Sequence, residues 1–368
     1  MDPRIVEKLL NLAIQIQQIP APTFAEGARA AFIRDRFQKE KLAEVASDEV
    51  GNVYARLPGT ESAPPVVVSA HLDTVFPAST DLRVTRDLEK ISGPGIGDNA
   101  VGVAGLFGLL WALRRSGKQL PGDLWLVANM GEEGLGDLRG MRAVVKRFKH
   151  GPLAYIVLEG MALGHIYHRG LGVRRYRITA RTPGGHSWVD HGQPSAVHEL
   201  ASLITRLLEL PLPAEPRTTL NVGVISGGFS VNTIAAQSDL ELDLRSESME
   251  TLNDLAAQVK ALVKRANRPD VQVTAEAIGR RPVGEIPSDH PLVTLAAHAL
   301  KTAGLQPSLN IGSTDANLPL SLGLPAICLG LTLGGGAHTL DEYIYTRPLA
   351  FGLSQLVSVV QGLYRQID

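Results

Sequence analysis

The chain has one cysteine among 368 residues, Cys328, so no disulfide can form within it. It also lacks an excess of charge of either sign, with 36 basic residues against 37 acidic ones and a formal net charge of −1. Phosphate backbones and acidic membranes select a positive excess, so nucleic acid and anionic lipid surfaces are not expected partners. No stretch of about 18 apolar residues runs free of charge, which argues against a membrane span. Met1 to Gln18 sets Asp2, Glu7 and Lys8 among its apolar positions and reads as an amphipathic helix rather than a signal peptide. Internal repeats and low-complexity tracts are missing, apart from a proline-rich loop at 211–216. These absences predict a cytoplasmic globular protein, long enough for two domains and a large buried core. Cys328, between Ile327 and Leu329, is expected in a buried strand with a structural role.

What the chain does have is a set of short apolar runs that each stop at a metal-loving residue. Val66-Val67-Val68-Ser69-Ala70 ends at His71 and Asp73, Leu124 to Ala128 leads to Glu132-Glu133, Ala154 to Leu158 ends at Glu159, and Ala326 to Leu331 is followed by His338. If these runs are strands of one parallel sheet, their carboxyl ends converge at the edge where open α/β sheets bind ligands. With Asp98 added, those ends carry a two-metal site.

Up to about Ile166 helix-like and strand-like segments alternate, as in a βαβ-type parallel or mixed sheet. From Gly172 to Gly279 the order becomes β-α-β-β-α-β, a ferredoxin-like unit complete in itself. After Pro282 the first style resumes, with a helix near Pro291 to Ala303, a short strand at Leu309, the Ala326 to Leu331 strand and a final helix from about Pro348. His338 lies in this returning part, while the other candidate ligands precede Gly160. The expected architecture is therefore a discontinuous catalytic domain, residues 1–168 and 281–368, whose mixed sheet is flanked by helices. An inserted α+β domain, residues 169–280, would act as a lid.

Each motif has a plainer reading. His71 and Asp73 are two apart in an extended segment and face the same way, so the carboxylate can orient a metal-bound imidazole, but His-x-Asp at a strand end is often structural. Gly95-x-Gly97-x-x-Ala100 matches a dinucleotide fingerprint before the apolar helix Val101 to Leu113. The segment before it, Arg86 to Lys90, is charged, and Asp123 precedes its strand instead of ending it. In the metal reading those glycines let the backbone turn tightly, and Asp98 is free to bridge two cations. Glu132-Glu133 alone would be a solvated acidic turn, Glu159 a capping acid and His338 a loop histidine. Taken together, Asp98, Glu133, Glu159 and a hydroxide would balance the roughly +4 of two divalent cations. Oxygen and imidazole donors without thiolate suit zinc, with cobalt or manganese as substitutes.

Ser69-Ala70-His71-Leu72-Asp73-Thr74-Val75, Gly97-Asp98-Asn99, Gly131-Glu132-Glu133-Gly134, Leu158-Glu159-Gly160 and Ala337-His338-Thr339, in this order, resemble the co-catalytic zinc metallopeptidases of metallopeptidase family twenty. That family includes peptidase T, glutamate carboxypeptidase, acetylornithine deacetylase and the aminoacylases. The resemblance covers nearly the whole chain. It implies His71 and Glu159 on one metal, Glu133 and His338 on the other, Asp98 bridging both, Glu132 as general base and Asp73 behind His71. It also implies a cis Asp98–Asn99 peptide bond. In the insertion, His186 of Thr182-Pro183-Gly184-Gly185-His186-Ser187 resembles an oxyanion-supporting histidine that often reaches across a dimer. Asn232 and Arg245 resemble substrate-holding positions, although His186 could equally cap a turn and Arg245 pair with Asp243.

The implied activity is metal-assisted hydrolysis of an amide bond in a short peptide. Deacylation of an N-acyl amino acid is the alternative, since Glu159 stands where peptidase T usually has aspartate. A homodimer through the inserted domain is also implied. A metal-binding protein without catalysis is the competing class, against which stands Glu132, a residue metal affinity does not require. A nicotinamide-dependent dehydrogenase is the third reading.

Overall fold

The computed structural model describes residues 1–365. The chain divides into two compact units, Met1–Gly170 together with Gly284–Asp368, and Leu171–Val283.

The first unit is built on a nine-stranded mixed sheet. Its central strands run in the order Gly122–Asn129, Ala63–His71, Ala154–Glu159 and Ala326–Gly330, and each of the three pairings between neighbours is parallel. Parallel strands are covered on both faces, which is why they read as unbroken apolar runs rather than alternating ones. Val66, Val67, Val68, Leu124, Leu126, Ile156, Val157 and Ile327 are all fully buried. Antiparallel strands extend the sheet on both sides: Val53–Leu57 and Ala43–Ser47 beyond Gly122–Asn129, and His165–Gly170 with Gly284–Glu285 beyond Ala326–Gly330. Strand Ser308–Gly312 pairs parallel with His165–Gly170.

Helix Pro3–Gln17 begins where Asp2 accepts a hydrogen bond from the Arg4 amide and proline takes the first helical position, which has no intrahelical use for an N–H. Its Ile5, Leu9, Leu12, Ala13 and Ile16 form the buried stripe. That stripe packs on helix Val101–Ser116, which ends at Gly117 in the left-handed conformation and is apolar on nearly every side. By length and composition the stretch Ile96–Ser116 could cross a membrane, but 89% of its most apolar 18-residue window is buried within the protein, where it serves as the core helix of the sheet. Leu349–Tyr364 packs against the same helix. Cys328 is fully buried in its strand, as expected.

A second, small antiparallel sheet lies in this unit, ordered Gly334–Gly335, Tyr343–Tyr345, Lys90–Ser92 and Thr85–Arg86. It ties the segment before Asp98 to the segment after His338.

The second unit is a four-stranded antiparallel sheet in the order Thr218–Gly227, Gln237–Ser246, Gly172–Arg181 and Gln272–Arg281, packed with helices Ala196–Leu208 and Met249–Ala266. The chain order β-α-β-β-α-β with this spatial order is the ferredoxin-like arrangement. Its own core contains Tyr176, Ile178, Leu200, Leu203, Leu240, Leu242, Leu255 and Val259.

Gly160 follows directly on strand Ala154–Glu159, where the chain passes close to the Asp98 loop. A Cβ there would overlap the carbonyl oxygen of Gly97 and Cγ1 of Val101. Gly160→Ala should therefore destabilise the protein by about 1–3 kcal/mol, the usual cost of overpacking. Chemical denaturation is the measurement, and an unchanged midpoint would contradict the close approach.

Candidate metal centre

His71 and Glu159 are the last residues of neighbouring parallel strands, and Glu132-Glu133 follow the third, so one sheet edge gathers all four. Asp98 reaches the same place from the turn that precedes the core helix. His338 comes from the glycine-rich loop after the fourth strand, and its φ of 64° places it in the left-handed region that non-glycine residues rarely occupy.

The donor atoms meet in two groups. Nε2 of His71 lies 3.1 Å from Asp98 Oδ1 and 3.6 Å from Glu159 Oε2. Nε2 of His338 lies 3.0 Å from Asp98 Oδ2 and 3.2 Å from Glu133 Oε1. Each oxygen of Asp98 thus faces a different imidazole, and each imidazole faces a further glutamate. His71, Asp98 and Glu133 offer donor atoms that all lie within 4.8 Å of one another. Glu133 Oε1 is buried and faces only the His338 imidazole among the described residues. A cluster of three carboxylates and two imidazoles gathered this closely fits a pair of divalent cations, since crowded like charges persist only when opposite charge offsets them. The Asp98–Asn99 peptide bond is cis.

Asp73 does more than its position behind His71 implied. Its carboxylate accepts the backbone N–H groups of Glu132 and Glu133, each at 2.9 Å, and the Thr23 hydroxyl at 2.8 Å. The Asp73 backbone oxygen lies 3.1 Å from Nδ1 of His71. With Nδ1 held there, His71 presents Nε2 to the cluster. Arg29, buried to 2% exposure, donates to the backbone oxygens of Leu72 and Ile19 and sets a positive charge beside Asp73. The Glu132 side chain is buried, and its charge bears on Glu133, Glu159 and Asp315, which places it at the same edge.

Several participants carry no motif in the sequence. Glu342 is fully buried and its carboxylate accepts backbone N–H groups from the Asp98 loop. Asp315, also fully buried, accepts Nδ2 of Asn129 at 2.7 Å. Burial and the charge of Glu132 push its carboxyl up to about 8. The stretches that hold them, Ser313 to Asn317 and His338 to Tyr343, resemble the peptidase T and carboxypeptidase branches of the family, but nothing in either stretch singles out the acid.

The match of Gly95-x-Gly97-x-x-Ala100 to a dinucleotide fingerprint is accidental, in keeping with the charged segment before it and the misplaced Asp123. The strand before it, Lys90–Ser92, belongs to the small antiparallel sheet, and the amides of Gly95, Gly97 and Asp98, which would have to meet a pyrophosphate, donate to Glu342.

The remaining predicted residues lie in the second unit. His186 is exposed and pairs in register with Thr233. Its Nδ1 accepts the N–H groups of Trp188 at 3.2 Å and Val189 at 3.4 Å, so the neutral ring carries its proton on Nε2. The carbonyl of Asn232 accepts the Ser187 amide at 3.0 Å, which sets Asn232 next to His186. Arg245 is not with them. It donates to Asp243 at 2.8 Å and stands opposite Val173, whereas the His186 loop leaves from Arg181 opposite Gln237. Eight positions of strand separate these two ends, about 26 Å at about 3.3 Å per residue.

The fold and site together define an α/β protein with a buried carboxylate–imidazole cluster at the carboxyl ends of its parallel strands. Residues 67–362 match peptidase family M20/M25/M40, and the chain belongs to that family. It is 31% identical over 213 residues to a peptidase M20 domain-containing protein of Schizosaccharomyces pombe, covering 56% of this chain and 50% of the relative, so it spans about half the length of that protein. An acetylornithine deacetylase of Klebsiella pneumoniae is 30% identical, with 77% of this chain and 76% of the relative covered. A tripeptidase of Staphylococcus aureus shares the fold, with a TM-score of 0.83, 21% identity and coverage of 98% and 99%.

The protonation of the cluster gives a test. His338 is raised to about 10, first by its hydrogen bond to Asp98 and then by that to Glu133. Burial pushes Glu133 and Glu159 up to about 7. All three bind protons more tightly folded than unfolded, so the stability they contribute is complete below their ordinary values of 6.5 and 4.5. It is lost as pH rises through about 7 for the glutamates and about 10 for the histidine. Asp98 runs the other way: burial raises its carboxyl, but the hydrogen bonds from His338 and His71 outweigh this and hold it well below its ordinary range. Its contribution is therefore lost only on strong acidification. The Tm of chelator-treated protein should fall between about pH 5 and pH 10, and added zinc should remove most of that fall. A Tm that climbs over this range without metal would contradict the geometry.

Proposed function

We propose that the protein is a metal-dependent hydrolase that cleaves an amide bond in a short peptide. The observation that carries this reading is the shared Asp98, whose two oxygens each face one imidazole with a glutamate beside it. His71 and Glu159 would hold one divalent cation, His338 and Glu133 the other, and Asp98 both. Zinc suits the donor set, with cobalt or manganese able to replace it. Bound there, the cations supply Lewis acidity to an attacking water and to the scissile carbonyl.

Glu132 takes the water proton as the oxygen–carbon bond forms, then returns it to the nitrogen as the carbon–nitrogen bond breaks. Asp73 holds the backbone of Glu132 and Glu133 in one setting and steadies His71, so base and ligands keep their relative positions. The Nε2–H of His186 is a donor suited to the developing oxyanion. Asn232 and Arg245 would hold the substrate, the latter by donating to a substrate carboxylate from the guanidinium fork that here donates to Asp243.

Arg245 and the His186 loop lie too far apart on one sheet for a short peptide to touch both. This supports a homodimer in which one copy lends His186 and Asn232 to the site of the other. The edge strand Thr218–Gly227 has one free side in its sheet, with Val224 and Ile225 half exposed and Phe229 and Val231 almost fully exposed just beyond it. Unpaired strand edges with apolar side chains recruit a partner strand. We place the reaction in the cytoplasm, consistent with a single buried thiol and balanced charge.

Deacylation of an N-acyl amino acid is the second reading, favoured by Glu159 and by the likeness to an acetylornithine deacetylase. Hydrolysis rates on dipeptides, tripeptides and N-acyl amino acids with zinc, cobalt or manganese separate the two.

Glu132→Ala should keep two metal ions per chain and lose about 10²–10⁴-fold in kcat. Turnover near the wild-type rate would remove its role as base. His186→Ala should lose about 10²–10³-fold in kcat with metal content unchanged. If His186 acts across a dimer, mixing these two inactive variants should restore part of the activity, because each mixed dimer holds one intact site. Mixtures as inactive as their components would exclude the shared site.

A further inference from the structure

Glu342 is an acid with no exposure to solvent, set where the Asp98 loop and the His338 loop meet. Its Oε1 accepts the N–H of Gly97 at 2.7 Å and of Asp98 at 2.8 Å, and its Oε2 accepts that of Gly95 at 3.2 Å. Its backbone oxygen takes the amide of Gly93 at 2.8 Å. Every second residue from 93 to 97 is therefore tied to one side chain or its own carbonyl, and the last tie is the amide of Asp98 itself.

The anchored segment needs such a tie. Gly93, Gly95 and Gly97 give it wide backbone freedom, and Gly95 sits at φ 75°, where other residues are strained. Left to itself, a loop of this composition would let the Asp98 carboxylate sample many settings. A bridging ligand must instead put each oxygen within a few tenths of an ångström of a separate target. The acceptor is also costly, because a buried carboxylate beside Asp98 adds a second negative charge to a crowded place. A latch needed only to close two loops would be met more cheaply by backbone pairing, which the strands Lys90–Ser92 and Tyr343–Tyr345 already supply.

Glu342 also lies on the same short loop as His338. The turn between them is closed by the Thr339 amide on Gly336 O at 3.0 Å and the Glu342 amide on Thr339 O at 3.3 Å. The loop that delivers His338 to Asp98 Oδ2 thus also fixes the backbone from which Asp98 projects.

We infer that Glu342 is a positioning residue for the metal centre: by accepting the amides of Gly95, Gly97 and Asp98 it sets the bridging carboxylate and His338 as one unit, and so fixes the spacing of the cation pair. The inference rests on the metal reading of the site. It requires that Glu342 act on cation affinity and on the order of the Asp98 loop beyond any effect on folding.

The test uses the full-length chain with Glu342→Gln and Glu342→Ala. Glutamine keeps the volume and one accepting oxygen but turns an NH₂ group toward backbone donors, and alanine removes both accepting oxygens and with them all three hydrogen bonds. Cation stoichiometry and affinity are measured by zinc competition with a chromophoric chelator. Amide hydrogen exchange at Gly97 and Asp98 is followed in chelator-treated protein, and kcat and KM are measured over a range of zinc. Glu342→Gln is expected to fold, to exchange those two amides at least about 10-fold faster, and to bind its second cation about 10–100-fold more weakly, the usual cost of removing an outer support of a ligand. Its kcat should fall at limiting zinc and recover at high zinc, with KM little changed.

A folded Glu342→Gln with wild-type affinity for both cations and wild-type amide protection would overturn the inference. Loss of folding in both variants would overturn it as well, since Glu342 would then support the fold at large. Wild-type protein that binds no zinc would instead remove the metal reading beneath it, and the same titration separates that outcome from the others.

Discussion

Carboxylates crowded together in a buried place repel one another, and the first unit is arranged around one such crowd. Asp98, Glu133 and Glu159 come within reach of the same two imidazoles at the edge of the sheet. No packing of apolar side chains stabilises that gathering. What holds it is a rigid frame of parallel strands, whose ends cannot drift apart without breaking a fully buried core, together with a demand for positive charge that two cations meet. The family to which the chain belongs and the reaction proposed for it both follow from this point.

Around that cluster two further acids act on backbone amides. Asp73 gathers Glu132, Glu133 and Thr23, and Glu342 gathers Gly95, Gly97 and Asp98. The geometry is the same in both cases: a buried carboxylate accepts several N–H groups of a glycine-containing turn and converts a pliable segment into a fixed one. Arg29 sets positive charge beside Asp73, which makes its burial tolerable. Glycines give these turns the freedom to place a ligand, and the outer acids take back the part of that freedom a metal centre cannot use.

The second unit poses a different physical problem. Its sheet has an edge strand with exposed apolar side chains beside it, and the residues proposed to hold substrate lie at its two ends. A rigid sheet cannot bring its ends together, so a single copy cannot present both to one short ligand. Association of two copies, as proposed, would bridge that distance and cover the unpaired edge at once.

Much of the centre is legible in the sequence because parallel strands leave a strong trace. An apolar run such as Ala154 to Leu158 ends visibly at a charged residue, and four such runs point to one edge whatever the strand order. The discontinuity of the first unit is legible for a similar reason, since the β-α-β-β-α-β stretch interrupts one style of alternation and the style returns after it. Glu342, Thr23, Arg29 and the Asp315–Asn129 pair leave no such trace, because a carboxylate that serves backbone amides of a loop 245 residues away has no spacing to repeat. The glycine fingerprint at Gly95 can be set aside from its flanking sequence, but the partner that claims its amides, Glu342, cannot be read there. The sequence by itself determined which side chains stand at strand ends, through apolar periodicity, which is a local property. Only the tertiary structure decided which oxygen faces which imidazole and which acids hold the loops in place, because those pairings depend on distances between segments that the chain brings together only when it folds.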